Sequence, residues 1–403
     1  MNRKILSWCL YDFANSSYSA VIAAVIFPVY YANVVVGNET GLGDLWWGKA
    51  IALSMAIVAI SSPFLGGIAD FAKIRKRLLS FFTCLCIFSV ASLYFIQPGM
   101  IVEGFLLIVA AFIGFEGGLV FYNSYLPHIA KSTHQGRVSA WGFGVGYAGS
   151  IISLLLALFL INKGFMDAVW PMVAVFFGIF SIPAFLFLPR DERQGIGILI
   201  AARDGFRITL KRLKQLWKGM EQRKFLIAFF LYKDGVNTVI VFSGIFAVTT
   251  LGFTSDELVV MFLIVQATAL AGSFLMAKPI DYMGPKKVVS MSLGLWIVVC
   301  IAAFFVHEKM HFLIIASLAG LGLGTVQAAS RAFYTQFILA GQESEYFGVY
   351  ALVGKTSAIM GPLIFGYISA TFGSQRLAVL SVIIFFIAGL LVLRTIKGGG
   401  PNV

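Results

Sequence analysis

The chain has 403 residues, of which 59% are hydrophobic and 12% are charged. A soluble globular domain carries about 25% charged residues, so this composition excludes an ordinary soluble protein and indicates one that crosses a membrane repeatedly. The formal net charge of +12 would also fit a nucleic-acid-binding protein, but the distribution of the basic residues explains it differently.

Twelve apolar stretches are each long enough to span a bilayer, which takes about 20 residues. They are 7–35, 44–68, 78–97, 101–126, 138–161, 168–189, 224–250, 256–279, 286–306, 311–337, 345–370 and 375–396. The first follows basic residues, as a signal peptide would, but Asp12 and Asn15 interrupt its apolar core and we expect it to be retained. The sequence thus predicts an all-α integral membrane protein with twelve transmembrane helices.

Lys and Arg residues are concentrated in alternate connections between these spans. If the N-terminus is cytoplasmic, 23 of the 30 lie in cytoplasmic segments. The outer connections then hold only Lys163, Lys309 and Arg376. An excess of positive charge in cytoplasmic loops is the usual signature of membrane orientation. We therefore expect both termini to be cytoplasmic and no nucleic-acid partner.

The longest connection separates six spans from six. This division predicts an N-terminal six-helix bundle over residues 1–189, a cytoplasmic linker over 190–223 and a C-terminal six-helix bundle over 224–403. Apolar residues in and just after the linker region recur at spacings of three and four, opposite basic residues, and they are Phe206, Leu210, Leu213, Trp217 and Met220. Such a pattern favours an amphipathic helix on the anionic cytoplasmic leaflet.

Two short patterns recur in the two halves of the chain. The pattern D-x-x-N begins at Asp12 in the first span and at Asp234 in the seventh. An aspartate also ends the second span of each half and precedes basic residues, as Asp70 and Asp281 do. Internal repeats are common in secondary transporters.

The loop after the second span resembles the G-x-x-x-D-x-x-G-R-[KR] signature of the major facilitator superfamily. Gly66 and Asp70 match, whereas Lys73 stands in place of the second glycine. Three further stretches are similar to the autophagy-linked vacuolar amino-acid effluxers and their bacterial relatives: 11–16, 324–331, and 346–355 with Gly361-Pro362. The resemblance implies the major-facilitator fold of two pseudo-symmetric six-helix bundles. It also implies proton-linked efflux of small solutes, which are amino acids for fungal members.

In that superfamily the loop latches the two halves together on the cytoplasmic side, and its aspartate contacts helix ends and an arginine. The resemblance therefore implies gating roles for Asp70, Arg137 and Asp281, with Arg137 as the expected partner of Asp70. A helix cap without a gating role is the alternative for Asp70.

Six ionisable residues lie well inside the predicted spans. They are Asp12, Glu116, Lys233, Asp234, Arg331 and Lys355. Three are acidic and three are basic, so the set can be neutral as a whole, as charges in a membrane interior require.

The resemblance implies that spans 1, 4, 7 and 10 line a central cavity. The candidate substrate-binding residues are Asp12, Asn15, Ser16, Tyr122, Asn123, Tyr147, Asn237, Gln327, Arg331 and Lys355. Arg331 or Lys355 would hold a carboxylate, and Asp12 or Asp234 an amine. Asp12, Glu116 and Asp234 are the candidates for proton coupling, because a buried carboxylate can bind and release a proton. Alternatively, these charges are ion pairs that lock the two halves together.

The stretch Gly144-x-Gly146-x-x-Gly149 fits a dinucleotide-binding pattern, but it lies within a predicted helix and follows no strand. We expect these glycines, and the glycines at 320, 322 and 324, to let neighbouring helices approach closely.

We therefore expect a secondary transporter that works by alternating access, not an enzyme. It would be driven by an ion gradient, for which we expect protons, and would need no cofactor or metal. The expected partners are a small-molecule substrate and the lipid bilayer. The expected state is a monomer in a bacterial inner membrane. Two alternatives stay open: an exporter or flippase of an amphipathic molecule such as a lipid or siderophore, and a receptor or scaffold without transport.

Overall fold

The computed structural model describes residues 2–37, 41–190, 203–207, 209–210, 219–358 and 360–397. Within these ranges the chain is helical and contains no β-strand. Among the described residues, twelve helices are long and apolar enough to cross a membrane. The prediction of an all-α protein with twelve transmembrane helices is therefore confirmed.

We number these helices α1 to α12 in chain order. They are α1 (Arg3–Val36), α2 (Leu42–Ala72), α3 (Arg75–Phe95), α4 (Ile101–Ile129), α5 (Ser132–Asn162), α6 (Met166–Phe187), α7 (Met220–Leu251), α8 (Asp256–Met283), α9 (Pro285–Phe305), α10 (Lys309–Thr335), α11 (Glu343–Phe372) and α12 (Gln375–Arg394). Helix α11 consists of two segments, Glu343–Thr356 and Met360–Phe372. Several helices begin a turn before the predicted span, because their polar first turns continue the helix beyond the apolar stretch.

Side chains satisfy the first backbone N–H groups of several helices. Asn2 accepts a hydrogen bond from the N–H of Lys4 at the start of α1, and Ser374 accepts one from Leu377 at the start of α12. Thr254 and Glu257 form a reciprocal capping box before α8. Caps of this kind fix where a helix begins, since they replace bonds that the first turn cannot make within the helix.

Helix α1 is irregular beyond its first half. Residues Arg3–Ser17 are α-helical, whereas Tyr18–Val25 and Tyr31–Val36 have the wider π-helical hydrogen bonding. π-Helical turns are rare and occur frequently at functional sites. The first one begins three residues after Asn15, which ends the D-x-x-N pattern.

Glycines allow close helix packing at the positions where this was predicted. A side chain at Gly149 of α5 would overlap the backbone oxygen of Phe13 in α1. In α10, a side chain at Gly320 would overlap Thr268, and one at Gly324 would overlap the backbone oxygen of Ala269. The predicted close-approach role of these glycines is confirmed.

The chain forms two compact units. The first comprises Met1–Ile129, Val145–Thr209 and Ala340–Leu352, and the second comprises Ala130–Gly144, Leu210–Leu339 and Val353–Val403. The start of α11 thus belongs to the first unit, and the start of α5 belongs to the second. The domain boundaries predicted from the sequence stay a prediction.

Part of the predicted amphipathic linker helix is visible in the first unit. Residues 203–207 are helical, and the ring of Phe206 stacks on that of Phe64 in α2 with 4.4 Å between centroids. Leu213 and Trp217, on which the predicted periodicity also depends, lie outside the described residues.

Candidate functional site

In the first unit, Asp12 lies in the first half of α1 and is 6% exposed. Its backbone oxygen accepts a hydrogen bond from Oγ of Ser16 at 2.7 Å. Helix α5 passes close to this turn because residue 146 is glycine: a Cβ there would lie 2.9 Å from Oγ of Ser16 and 3.4 Å from Cγ of Asp12. Asp12 of α1 is thus packed against the glycine face of α5.

Two polar groups next to Asp12 along α1 are buried without a hydrogen bond. Asn15 is 3% exposed and Tyr18 is 0% exposed. Within the part of the chain that the structure describes, neither Nδ2 of Asn15 nor the hydroxyl of Tyr18 has a hydrogen-bond partner. A buried polar group left unsatisfied costs about 1–3 kcal/mol, so such groups are expected where a ligand or water binds. Sequence reasoning selected Asn15 but not Tyr18, because this apolar helix contains several tyrosines and the sequence does not distinguish this one.

Tyr122 of α4 lies in the aromatic core of the first unit. Its ring stacks on Trp8 at 4.6 Å and on Tyr11 at 5.0 Å, and its backbone oxygen accepts a hydrogen bond from Nε1 of Trp8. The hydroxyl of Tyr11 in turn contacts Oγ1 of Thr83 at 2.7 Å. These contacts hold α1 against α3 and α4, so the ring of Tyr122 contributes to packing.

The remaining predicted residues of the first unit lie on α4 and α5. Glu116 and Tyr147 are each 9% exposed, and Asn123 is partly exposed. Glu116 is therefore a nearly buried carboxyl group within a membrane-spanning helix.

In the second unit, Arg331 of α10 is bound to the start of α5. Its Nε donates to Oγ of Ser139 at 2.9 Å, and its Nη2 donates to the backbone oxygen of Ser139 at 2.7 Å. The guanidinium lies 4.0 Å from the ring centre of Phe143, a cation–π distance. Arg331 is 2% exposed.

Asp234 of α7 meets the interruption of α11. Asp234 is 0% exposed. Both of its carboxylate oxygens accept a hydrogen bond from the backbone N–H of Gly361, at 3.0 and 2.9 Å. Gly361 lies in the first turn of the second segment of α11, where backbone N–H groups lack partners within the helix. Asp234 therefore caps this segment from a different helix.

The other predicted residues of the second unit are Asn237 on α7, Gln327 on α10 and Lys355 at the end of the first segment of α11. All three are partly exposed.

Asp70, at the end of α2, lies in a buried cluster of charges in the first unit. Its Oδ1 is 3.0 Å from Nη2 of Arg75, and its oxygens accept the backbone N–H groups of Ser344 and Glu345 at 3.2 and 2.9 Å. Asp70 thus caps the start of α11 while pairing with an arginine. A side chain at Gly66 would overlap the backbone oxygen of Ser344, which explains the first glycine of the signature.

In the structure it is Arg75, and not the expected Arg137, that pairs with Asp70. Arg137 pairs instead with Asp281 in the second unit, where its Nε lies 2.6 Å from Oδ2 and its backbone N–H lies 3.1 Å from Oδ1. The two repeated aspartates therefore play parallel roles, because each binds an arginine and a backbone N–H near the start of another helix.

Two members of the Asp70 cluster were not found from the sequence. Glu343 Oε2 lies 3.0 Å from Nη2 of Arg75 and 3.2 Å from Nε2 of His128. The side chain of Glu343 is 5% exposed and that of His128 is 38% exposed. An acidic residue in the first turn of a predicted helix was the available signal, but such residues are common without any partner.

Known structures share this helical arrangement. The human organic anion transporter MFSD10 superposes with a TM-score of 0.77 at 13% identity, covering 97% of this chain and 98% of the other. The major facilitator superfamily proton:xylose symporter XylE superposes with a TM-score of 0.70 at 14% identity, covering 100% and 96%. The fold is that of a major facilitator transporter, as the sequence signature implied.

Sequence comparison gives the particular family. The chain is 30% identical over 406 residues to YxiO of Bacillus subtilis, described as an uncharacterized transporter of the major facilitator type, and the match covers 96% of this chain and 93% of YxiO. Residues 49–397 match the family described as "Vacuole effluxer Atg22 like". The chain belongs to this Atg22-like family of major facilitator transporters, and these relatives are transporters, not enzymes.

Proposed function

We propose that this protein exports a small zwitterionic, amino-acid-like solute by alternating access, and that export is coupled to protons. Family membership identifies the protein as a transporter, and we add a substrate class, a direction and proton coupling. The observation that supports it most is the set of ionisable side chains held inside membrane-spanning helices.

These side chains are costly to keep there. A charged group at the centre of a bilayer costs at least about 2.5–3.5 kcal/mol, and such groups usually mark ion or substrate pathways. Asp12 is 6% exposed, Glu116 is 9% exposed and Asp234 is 0% exposed, all in spanning helices. Three carboxyl groups in such positions favour a protein that binds protons or cations during its cycle.

A zwitterionic solute suits the polar groups of the two units. In the first unit, Asp12 lies beside the amide of Asn15 and has the charge that suits an amine; in the second unit, Lys355 is partly exposed and has the charge that suits a carboxylate. The matched family is described as vacuole effluxers, a name that specifies movement out of a vacuole, and efflux is the direction of transport that we propose here. XylE, by its description, couples transport to protons.

Membrane placement follows from charge. The excess of Lys and Arg in alternate connections favours cytoplasmic termini, and a bacterial inner membrane is the location that we propose on the basis of YxiO. The partners are then the solute and the bilayer, and the working state is a monomer.

Transport in proteoliposomes tests the proposal. Purified protein is reconstituted into lipid vesicles. The vesicles are loaded with labelled amino acids, and a pH gradient is imposed across their membrane. The wild type is expected to move at least one amino acid faster with the gradient than without it, and Asp12→Asn is expected to lose that acceleration. Asp167→Asn is the matched control, because Asp167 is exposed outside the apolar core of α6.

A thermal-shift screen identifies the solute class. A ligand that binds the folded state raises the unfolding temperature, so amino acids, peptides, lipids and siderophores are compared on the same protein. Stabilisation by lipids or siderophores alone would replace the proposal with the amphipathic exporter. Gradient-dependent transport by Asp12→Asn equal to that of the wild type would remove Asp12 from coupling.

A further inference from the structure

The carboxylate of Asp234 has an unusual environment for a charge inside a membrane protein. Gly361 provides its hydrogen bond, through one backbone N–H, and no other group in the described part of the chain bonds to it. A buried carboxylate is normally stabilised by a cation or by several donors. A single N–H donor therefore leaves the ionised form of Asp234 poorly compensated.

The position of Asp234 couples that charge to the interruption of α11. The first segment of α11 ends at Thr356, and the second begins at Met360. Ser357 N–H bonds to the oxygen of Val353 at 3.0 Å, and Ala358 N–H bonds to the oxygen of Lys355, three residues back, at 3.5 Å. In the first turn of the second segment, the backbone N–H of Gly361 bonds to Asp234 of α7.

The local sequence of α11 fits a helix interruption that is stabilised by a residue of another helix. Proline at 362 lies in the first turn of the second segment, where its missing N–H costs nothing. Residue 361 must be glycine, because a side chain there would overlap Oγ1 of Thr238 and lie 2.8 Å from Oδ1 of Asp234. The carboxylate can therefore sit directly on the backbone of α11.

We propose that Asp234 is the proton site that sets the attachment of the second α11 segment to α7. When ionised, the carboxylate holds the Gly361 N–H and interacts favourably with the positive end of this helical segment. When it binds a proton, the charge is lost and one ordinary hydrogen bond remains at most, so the segment is held more weakly. This rests on the proposed proton-coupled function and gives Asp234, in addition to Asp12, a proton-binding role that is tied to one movement.

Among the described residues, no ion pair joins the carboxylate of Asp234 to a neighbouring charge. The charged residues on the helices packed against this part of α7 are Lys233 on α7 itself, Arg331 on α10 and Lys355 on α11. Arg331 donates two hydrogen bonds to Ser139 at the start of α5, and α12 has no ionisable residue between its first and last turns. Lys355 ends the first α11 segment, so release of the second segment changes the surroundings of a predicted substrate-binding lysine.

Amide hydrogen exchange of the full-length protein in detergent tests the proposal without any transport assay. Peptides covering residues 353–366 are followed by mass spectrometry in the wild type and in Asp234→Asn, which resembles the protonated carboxyl. Comparing the two at the same pH cancels the intrinsic chemistry of exchange. At about pH 8 the variant is expected to exchange about fivefold faster, the ratio between a charge-assisted and a neutral hydrogen bond, and at about pH 5 the two should converge.

The control is Asp256→Asn, the same change at an exposed aspartate of α8, which should match the wild type at both pH values. A ratio that is the same at both pH values would overturn the proposal. If Asp234→Asn does not fold, the wild type alone decides: protection at 353–366, relative to an α12 peptide of the same sample, should fall on acidification, and constant protection would overturn the proposal.

Transport assays on the same variants separate this inference from the proposed function. If the exchange rates of the wild type and Asp234→Asn converge at low pH but transport does not depend on a pH gradient, Asp234 remains a proton-binding site and proton-coupled transport is rejected. Gradient-dependent transport that persists in Asp234→Asn, with exchange ratios that do not change with pH, would retain coupling and remove Asp234 from it.

Discussion

The guanidinium of Arg75 lies 3.0 Å from Oε2 of Glu343, and both side chains are almost completely buried. The same nitrogen, Nη2, lies 3.0 Å from Oδ1 of Asp70. One cation thus compensates two buried carboxylates, with His128 completing the cluster at its more exposed edge. The start of α11 is attached to α2 and α3 by charge and by backbone capping at the same point.

Removing this cation should destabilise the protein strongly. Arg75→Met keeps an apolar stem of similar length but leaves Asp70 and Glu343 without their shared partner. Breaking a buried pair by removing one member costs about 3–5 kcal/mol. We expect a loss of that size in the free energy of unfolding, measured by thermal or chemical unfolding in detergent.

Arg77→Met is the control for the Arg75 variant, because Arg77 is exposed on the same helix. It should change stability little, since exposed charges contribute little. A second variant that adds Glu343→Gln to Arg75→Met should recover part of the loss. Equal losses for the Arg75 and Arg77 variants would contradict the buried-cluster interpretation.

The turn after α2 carries backbone strain that a glycine would relieve. Lys73 has φ 52° and ψ 54°, and it is the one non-glycine residue with positive φ in the described chain. This left-handed conformation costs a residue with a side chain about 1–2 kcal/mol, and glycine adopts it freely at some cost in chain entropy. Lys73→Gly is therefore expected to stabilise the fold by about 0.5–1 kcal/mol, measured by unfolding.

The corresponding position of the second half provides the reverse test. Gly284 follows Asp281 by three residues, as Lys73 follows Asp70, and its φ is 85°. No atom lies within 4 Å of a Cβ built on Gly284, so strain alone acts there. Gly284→Ala should destabilise the protein, and a neutral result at both positions would show that the loops relax without cost.

Sequence reasoning found Asp70 because an aspartate between an apolar span and a basic cluster is visible along the chain. It did not select Arg75, since that choice depends on how the left-handed turn at Lys73 directs the chain back toward Asp70. Glu343 joins the cluster from a helix start more than two hundred residues away, and no local pattern encodes such a contact. The number and order of the spans were predictable because bilayer thickness sets their length.

The contact between Asp234 and Gly361 was hidden for a related reason. D-x-x-N indicated Asp234, and Gly361-Pro362 indicated a special backbone, but nothing in either pattern joins them. The joining contact is a backbone N–H, which every residue except proline possesses. Sequence patterns locate unusual side chains better than they locate the main-chain groups that those side chains bind.

A methyl group at residue 361 should disrupt this contact. Gly361→Ala places Cβ against Thr238 and 2.8 Å from Oδ1 of Asp234, so either the hydrogen bond or the helix packing must give way. We expect a loss of about 1–3 kcal/mol in unfolding free energy, the usual cost of overpacking a tightly packed site. Unfolding of the purified variant in detergent measures it.

Gly366→Ala is the matched control in the same helical segment. No atom lies within 4 Å of a Cβ at that position, so the change should stabilise the helix by about 0.5–1 kcal/mol through propensity alone. The two alanine variants are thus expected to shift stability in opposite directions. A gain for Gly361→Ala would show that the approach of α7 to α11 is looser than the structure indicates.

The last prediction separates structural from substrate-binding cations. Two donors of Arg331 bond to Ser139 and its guanidinium stacks on Phe143, whereas Lys355 is partly exposed. Arg331→Lys keeps the charge but cannot reproduce a planar fork, so it should lose about 1.5–3 kcal/mol of stability. In the thermal-shift assay, however, it should retain the rise in unfolding temperature that a bound amino acid causes.

Lys355→Ala should lose that rise in unfolding temperature with a smaller effect on the unliganded protein, because its amine is the group that we assign to the substrate carboxylate. The reverse pattern, with the ligand increment lost in Arg331→Lys and kept in Lys355→Ala, would transfer that role to Arg331 and require its contacts with Ser139 to open when substrate binds.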